Sequence, residues 1–479
     1  MPVRSRLLVP VLVLLGLAVA AIGGLGAPLI PTVARVEHVS LAAAQWTLTI
    51  PLIVGAVTTP LLGRLGDGPR RRAVVIGTLA VGVAGGVLTA LPLGFAALLT
   101  GRGLQGTGLG LTSLAIAIAR DHLEGERSRS AVALLSITTV AGVGLGYPLA
   151  GVATEYLGLH AAYGAGAAVA AVTLLLAVLV IPASPADRPA RAVDLAGALL
   201  LGGALAGLLF ALSEAPAWGA GSGRVLGLAG VAVLLLAAWV RHELRVAYPL
   251  VDLRLVRRRA VLTANVTVLL GGVGMYLLLS LVTRYVQTPP RVAGYGFGVS
   301  VVVAGLVLVP FSLLGFVASR AVPALARRAP AAPVLPLSCA VVLLATLEFA
   351  VARGRLVDVF VVMGVAGFGV GCVFAAVPAF IVRAVPASET GSAMSFNQVL
   401  RTVGFSAGSA LSGVVLATAT PAGRVLPKAS GYQVAAWVGI AMLAVTIAVG
   451  LALGTGREPR VPARPADPSY GRGQAAGQR

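Results

Sequence analysis

A chain of 479 residues that is 58% apolar and only 11% charged, with a mean hydropathy of +0.96, lies outside the composition of water-soluble domains and excludes a soluble enzyme. The net charge of +20 comes from 36 basic residues, all arginine except Lys428, against 16 acids. The arginines stand in short clusters between apolar runs and are not interleaved with stacking aromatics, so nucleic acid is not an expected partner and a positive-inside membrane protein is.

A hydrocarbon core about 30 Å thick takes roughly 20 apolar residues per helical crossing. Runs of that kind cover residues 7–30, 42–62, 73–92, 95–118, 130–153 and 161–181, a first unit of six. A polar linker with Pro182, Pro185, Arg188 and Pro189 leads to two shorter runs, 195–212 and 225–240. Six more follow at 261–286, 297–319, 334–351, 359–382, 393–417 and 434–453. The expectation is an all-α polytopic membrane protein with 14 transmembrane helices, in two six-helix bundles with an inserted helix pair. Its segments are an N-terminal bundle at 1–182, the insertion at 183–258, a C-terminal bundle at 259–455, and a Pro/Arg-rich tail at 456–479 that reads as disordered and cytoplasmic. Arg4 and Arg6 ahead of the first run, with Ala18-Val19-Ala20 inside it, imitate a cleavable signal. A run of 24 residues exceeds the roughly 15 of a signal core, so helix 1 is expected to be retained.

Basic residues test the helix count, because one miscounted helix inverts every later loop. With the N-terminus inside, inner loops and tails hold 26 of the 36 and the outer side holds eight, counting Arg284 at the outer end of the run 261–286, while Arg102 and Arg401 lie further within helices. Arg70-Arg71-Arg72, Arg127 and Arg129, Arg257-Arg258-Arg259 and Arg327-Arg328 all fall inside. Both termini are therefore expected in the cytoplasm of a bacterial-type plasma (inner) membrane.

The six-helix units also resemble copies of each other. Gly142, Gly146 and Gly151 on helix 5 recur 262 residues later as Gly404, Gly408 and Gly413 on helix 13, and Arg120 and Arg383 stand 263 apart. Parallel repeats of this kind form rigid bundles that enclose a site near the midplane, opened alternately to either side.

Enzyme motifs fail on context. Gly404-Phe405-Ser406-Ala407-Gly408 spells G-x-S-x-G, but a nucleophile elbow needs a strand, a sharp turn and a later histidine, and none follows His242. Gly101-Arg102-Gly103-Leu104-Gln105-Gly106 spells G-x-G-x-x-G inside an apolar run without a preceding strand, so no dinucleotide site is read there. His38, His122, His160 and His242 are dispersed, and Cys339 and Cys372 sit in apolar runs, so neither a metal site nor a cofactor is implied. Most glycines read as helix-packing positions, since small residues let backbones approach in lipid. Arg102 differs, because a guanidinium at membrane depth costs at least about 2.5 kcal/mol. It needs a cavity or a partner, unless it snorkels to the outer surface. Arg401 poses the same question; Asn397 shares its face at i,i+4, with Gln398 adjacent, and Gln105 accompanies Arg102.

Gly63-Arg64-Leu65-Gly66-Asp67-Gly68-Pro69-Arg70-Arg71-Arg72, between helices 2 and 3, resembles the loop signature of the major facilitator superfamily. Residues 102–108 resemble its helix 4 motif, and Gly142, Gly146, Pro148 and Gly151 resemble the antiporter motif of helix 5. Taken with fourteen apolar runs, the resemblance is to the fourteen-helix drug:proton antiporter branch. It implies a secondary transporter that exports small amphipathic or hydrophobic compounds by alternating access, coupled to protons, with residues 63–72 as an inner gate and Arg102 assisting proton exchange. The chain departs from the family in two places. The antiporter motif ends Tyr147-Pro148-Leu149-Ala150-Gly151 in place of Gly-Pro-x-x-Gly-Gly, and helix 1 has no aspartate. Glu348 near the outer end of helix 11 is then the candidate coupling acid, with a solvated interfacial carboxylate as its competing reading. The alternatives are an exporter or uniporter of a cell metabolite without proton coupling and, outside transport, a membrane scaffold or sensor. A small-molecule substrate, protons and the lipid bilayer are the expected partners.

Overall fold

In a computed structural model the chain is described over residues 3–24, 29–39, 41–183, 194–325, 334–386, 389–421 and 426–454, and every element in that set is helical. Helix is what lipid demands, because each backbone N–H and C=O is then satisfied within its own segment. Along the first unit run α1 (Val3–Gly24), α2 (Leu41–Asp67), α3 (Arg71–Ala90), α4 (Phe95–Gly106, continued through Thr107–Gly110 into Leu111–His122), α5 (Gly125–Leu157) and α6 (Leu159–Val180). The insertion forms α7 (Leu195–Trp218) and α8 (Gly223–Glu243). Then come α9 (Arg259–Gln287), α10 (Val301–Leu306 and Val309–Leu325), α11 (Val334–Val351), α12 (Leu356–Ala384), α13 (Thr390–Thr418) and α14 (Ala429–Gly454). Among the described residues, 11 helices are long and apolar enough to cross a membrane; α1, α4 and α5 fall outside that set. The tail 456–479, most of the proline linker, and Arg327-Arg328 lie outside the described residues.

Three departures from the apolar runs bear on function. The second apolar run ends at Leu62, yet residues 63–67 form the last turn of α2, leaving only Gly68, Pro69 and Arg70 as the turn. α4 tightens to 3-10 geometry at Thr107–Gly110, where a Cβ on Gly106 would stand 2.5 Å from the Pro51 carbonyl of α2. α9 carries a π turn at Thr267–Gly271, packed against Gly404 of α13. Breaks of this kind commonly mark functional hinges.

Packing follows the small residues. A Cβ on Gly142 would meet Ala20 of α1 at 2.0 Å, and Cβ atoms on Gly404 and Gly408 would meet the Leu269 and Val273 carbonyls of α9 at 2.4 and 2.3 Å. The glycine repeat thus serves the same pairing twice, fifth helix on first. The largest cluster of buried apolar side chains runs from Leu12 and Leu114 to Val268, Phe349 and Val373, through both groups of six. The inserted pair packs on itself, and its apolar cluster of Leu201, Leu205 and Trp239 meets Ala56 of α2 and Phe396 of α13. Asp194 caps α7 through Gly197 N at 2.9 Å and also holds His242 of α8 at 2.9 Å, tying the two ends together.

Candidate functional site

At one end of the bundle the first half is bolted to the start of α13. The Asp67 carboxylate accepts the backbone N–H groups of Gly391 at 2.7 Å and Ser392 at 2.8 Å. These are orphan donors of a helix N-terminus, where the macrodipole also favours negative charge. Arg64 donates to Glu389 at 3.0 Å, and Ser113 and Ser395 share a hydrogen bond at 2.8 Å. Arg120 donates to the Val385 carbonyl at 3.1 Å and to the Thr390 hydroxyl. Gly63 makes the approach possible: a Cβ there would stand 2.9 Å from the Gly391 carbonyl and closer still to Ser395.

The basic cluster divides its work. Arg71 donates to the Gly66 carbonyl and to Asp121, with Asp67 3.7 Å away, so it locks α2, α3 and α4 to one another. Arg72 reaches the Val178 carbonyl of α6 at 2.7 Å, and Arg70 is exposed. A gate aspartate is expected to accept from a helix N-terminus or from an arginine of its own unit; here the helix N-terminus is that of α13 in the second half, which begins at Thr390, and Arg71 of the same unit stands beside the carboxylate.

Beyond the gate a cavity of about 220 Å³ lies between the halves, lined by α2, α4, α7, α9 and α13 among others. Gln45 lines it some 22 residues before Asp67 on α2, roughly 33 Å along a helix. The cavity therefore extends from mid-bundle toward the end opposite the gate. Arg401, Gln398 and Arg102 line it, as do Thr49, Ser213, Tyr276, Arg284 and Phe405. Arg401 donates to Gln398 and stacks over the Phe374 ring at 4.6 Å.

Asn397, Gln398 and Arg401 of α13 line one small void together, and Gln398 and Arg401 also reach the larger cavity. Arg102 stands in the cavity wall but is fully buried, donating to the Thr47 carbonyl at 2.9 Å and to Gln105 at 2.8 Å, with the Tyr163 ring 5.8 Å away. Its surroundings leave no room for snorkelling. Gln105 turns to Thr89 at 3.3 Å. Asn397 points below the cavity into a void of about 20 Å³ and donates to Asn265 of α9 at 2.8 Å. Pro148 of α5 abuts α10, where a Cβ on Gly305 would stand 2.9 Å from the proline nitrogen; Gly151 is buried and Gly146 half-buried. Glu348 is half-buried on α11 and is not among the cavity's lining residues.

Sequence reasoning missed Glu389, Asn265 and Arg284. Glu389 sits just before the helix start Thr390-Gly391-Ser392, a place where an acid is common, but nothing local says that it faces Arg64.

A helical bundle bolted shut at one end, with a cavity reaching from its middle to the other, is the architecture of a membrane carrier. The chain belongs to the Major Facilitator Superfamily, whose family pattern matches residues 12–409. It is 29% identical over 395 residues to the tetracenomycin C resistance and export protein of Streptomyces glaucescens, covering 81% of this chain and 71% of that one. To the multidrug resistance protein Stp of Mycobacterium tuberculosis it is 30% identical over 399 residues, with the same coverage. The crystal structure of the human organic anion transporter MFSD10 (TETRAN) shares the fold, with a TM-score of 0.65 over 94% of this chain and all of that one, at 19% identity. The protein is a multi-pass membrane protein and not an enzyme.

Proposed function

We propose that the protein is a secondary active transporter that exports small amphipathic or hydrophobic compounds by alternating access, with proton coupling. In this reading it crosses a bacterial-type plasma membrane fourteen times with both termini in the cytoplasm. The bundles at 1–182 and 259–455 rock about the central cavity while the segment 183–258 braces α2 and α13. The observation that carries the proposal is the pairing of a sealed end, Asp67 and Arg64 on the start of α13, with a cavity that opens away from it. That is one of the two end states an alternating-access cycle requires. The outward direction is supported by the name of the export relative and is consistent with that of the resistance relative.

The coupled reading has a competitor with a specific observation behind it. No carboxylate lines the cavity among the described residues, which favours transport without proton coupling at the substrate site. Reconstitution in liposomes with an imposed pH gradient decides between them. Proton-coupled export requires flux of a compound panel to follow the gradient and collapse with an ionophore. Flux indifferent to the gradient leaves the uncoupled carrier, and no flux of any compound removes the transport reading.

A further inference from the structure

The cavity is lined by three cations and, among the described residues, by no anion. Arg102 stands in the wall of the first half and Arg401 in that of the second, about 16 Å into α13 from Thr390. Arg284 is exposed near the last turn of α9, at the end of the cavity far from the gate. A guanidinium keeps its charge in proteins. Low-dielectric walls focus the field of like charges into the space between them, so the cavity carries a positive potential along its length.

Its shape chemistry is equally one-sided. Tyr276 stacks on Phe405 at 5.3 Å and Phe405 on Phe374 at 6.2 Å, which makes an aromatic wall along the second half, with Arg401 over its last ring. Thr49 and Ser213, hydrogen-bonded to each other at 3.1 Å, add hydroxyls on the facing side. Flat apolar faces beside guanidinium groups match a planar ring system that bears a carboxylate or phenolate. Arginine pairs with such oxyanions through charge-assisted hydrogen bonds, whereas a cationic ring would meet three like charges.

We infer that the transported compounds are amphipathic aromatic anions, selected by Arg284 at the mouth and Arg401 at the floor of the cavity. The inference rests on the transport reading above and gives that site a charge preference.

The test separates binding from flux with two xanthene dyes of similar ring size, anionic fluorescein and cationic rhodamine 6G. Binding is read by fluorescence polarisation on the purified full-length protein in nanodiscs, and flux in proteoliposomes. Wild type is expected to bind fluorescein at least tenfold more tightly than rhodamine 6G, with affinity falling as salt rises. Arg284→Glu, at an exposed position that does not hold the fold, is expected to narrow that preference at least threefold, and Arg401→Gln to narrow it further. Equal or tighter binding of rhodamine 6G overturns the anion preference, and rhodamine 6G flux would then leave export standing. Fluorescein preference without flux of either dye removes export, and with it the claim that anions are the transported compounds, leaving only an anion-binding cavity. Binding of neither dye, or a preference unmoved by both substitutions, overturns the inference.

Discussion

Arg64 and Glu389, 325 positions apart, form a buried ion pair at 3.0 Å that joins the last turn of α2 to the start of α13. Removing one member strands the other charge, which typically costs about 3–5 kcal/mol in a buried pair. Glu389→Gln should therefore depopulate the closed gate while leaving each half folded. On a background with Cys339 and Cys372 replaced, a cysteine at Ser395 should gain at least tenfold in labelling by a water-soluble thiol reagent applied to the gate side. Unchanged labelling would mean that the pair does not hold the gate.

Asp67→Asn probes the neighbouring lock. The two carboxylate oxygens accept separately from Gly391 and Ser392; an amide keeps one acceptor oxygen, turns a donor NH2 toward the other N–H and carries no charge, and charge-assisted hydrogen bonds are about twice as strong as neutral ones. A loss of roughly 1–2 kcal/mol predicts about a tenfold shift of the gate equilibrium. Flux should fall at equal expression and insertion, and flux at the wild-type level would make the carboxylate dispensable.

Gly63→Val tests close approach rather than charge. A Cβ there meets the rigid Gly391 carbonyl at 2.9 Å, so the two helices cannot close as they do now. Spin labels on the gate-side ends of α2 and α13 should report a longer distance in this variant, together with loss of transport. Gly77→Ala, with nothing within 4 Å of the added methyl, is the matched change and should leave both readouts unaltered.

Hydropathy made the helices readable, because an apolar run of bilayer length has few other uses; among the described residues each apolar run overlaps a helix. Interruptions within helices were not readable. The 3-10 turn at Thr107–Gly110 depends on how closely α2 approaches at Pro51, and the π turn of α9 on the pressure of Gly404, which are tertiary facts. The gate shows the same division. Asp67 could be singled out by its motif, but its partners are backbone N–H groups of Gly391 and Ser392, which carry no side-chain signature. Arg284 was hidden for another reason. It lies near a helix end, where an arginine is ordinarily a solvated interfacial charge, and only the packing of α9 against α13, around a cavity that α7 also lines, makes it part of the site.

Topology has its own prediction, from the 26 basic residues assigned to inner segments against eight outside. Reporter fusions placed after residue 454 and within 421–428 should report opposite sides of the membrane, with the former cytoplasmic. The same side for both would mean that α14 does not cross.

Arg102 carries the last prediction. It is the only ionisable residue of α4 between Phe95 and Ile118, and it is fully buried with bonds to the Thr47 carbonyl and Gln105 and the Tyr163 ring nearby. Those partners lie on α2, α4 and α6, so the side chain braces the wall of the first half as well as charging the cavity. The two roles respond differently to substitution. Arg102→Lys keeps the charge but loses the planar fork that reaches Thr47 and Gln105 together. It should retain the cavity's preference for anions while thermal stability falls by roughly 1–2 kcal/mol for the lost hydrogen bonds. Arg102→Ala removes both, and should lose transport and the anion preference while lowering stability more than the lysine does. If the alanine variant transports at the wild-type rate across the pH range, neither role contributes to the cycle. Preference lost in the lysine variant as well would show that it is the geometry of the fork, not the charge, that reads the substrate.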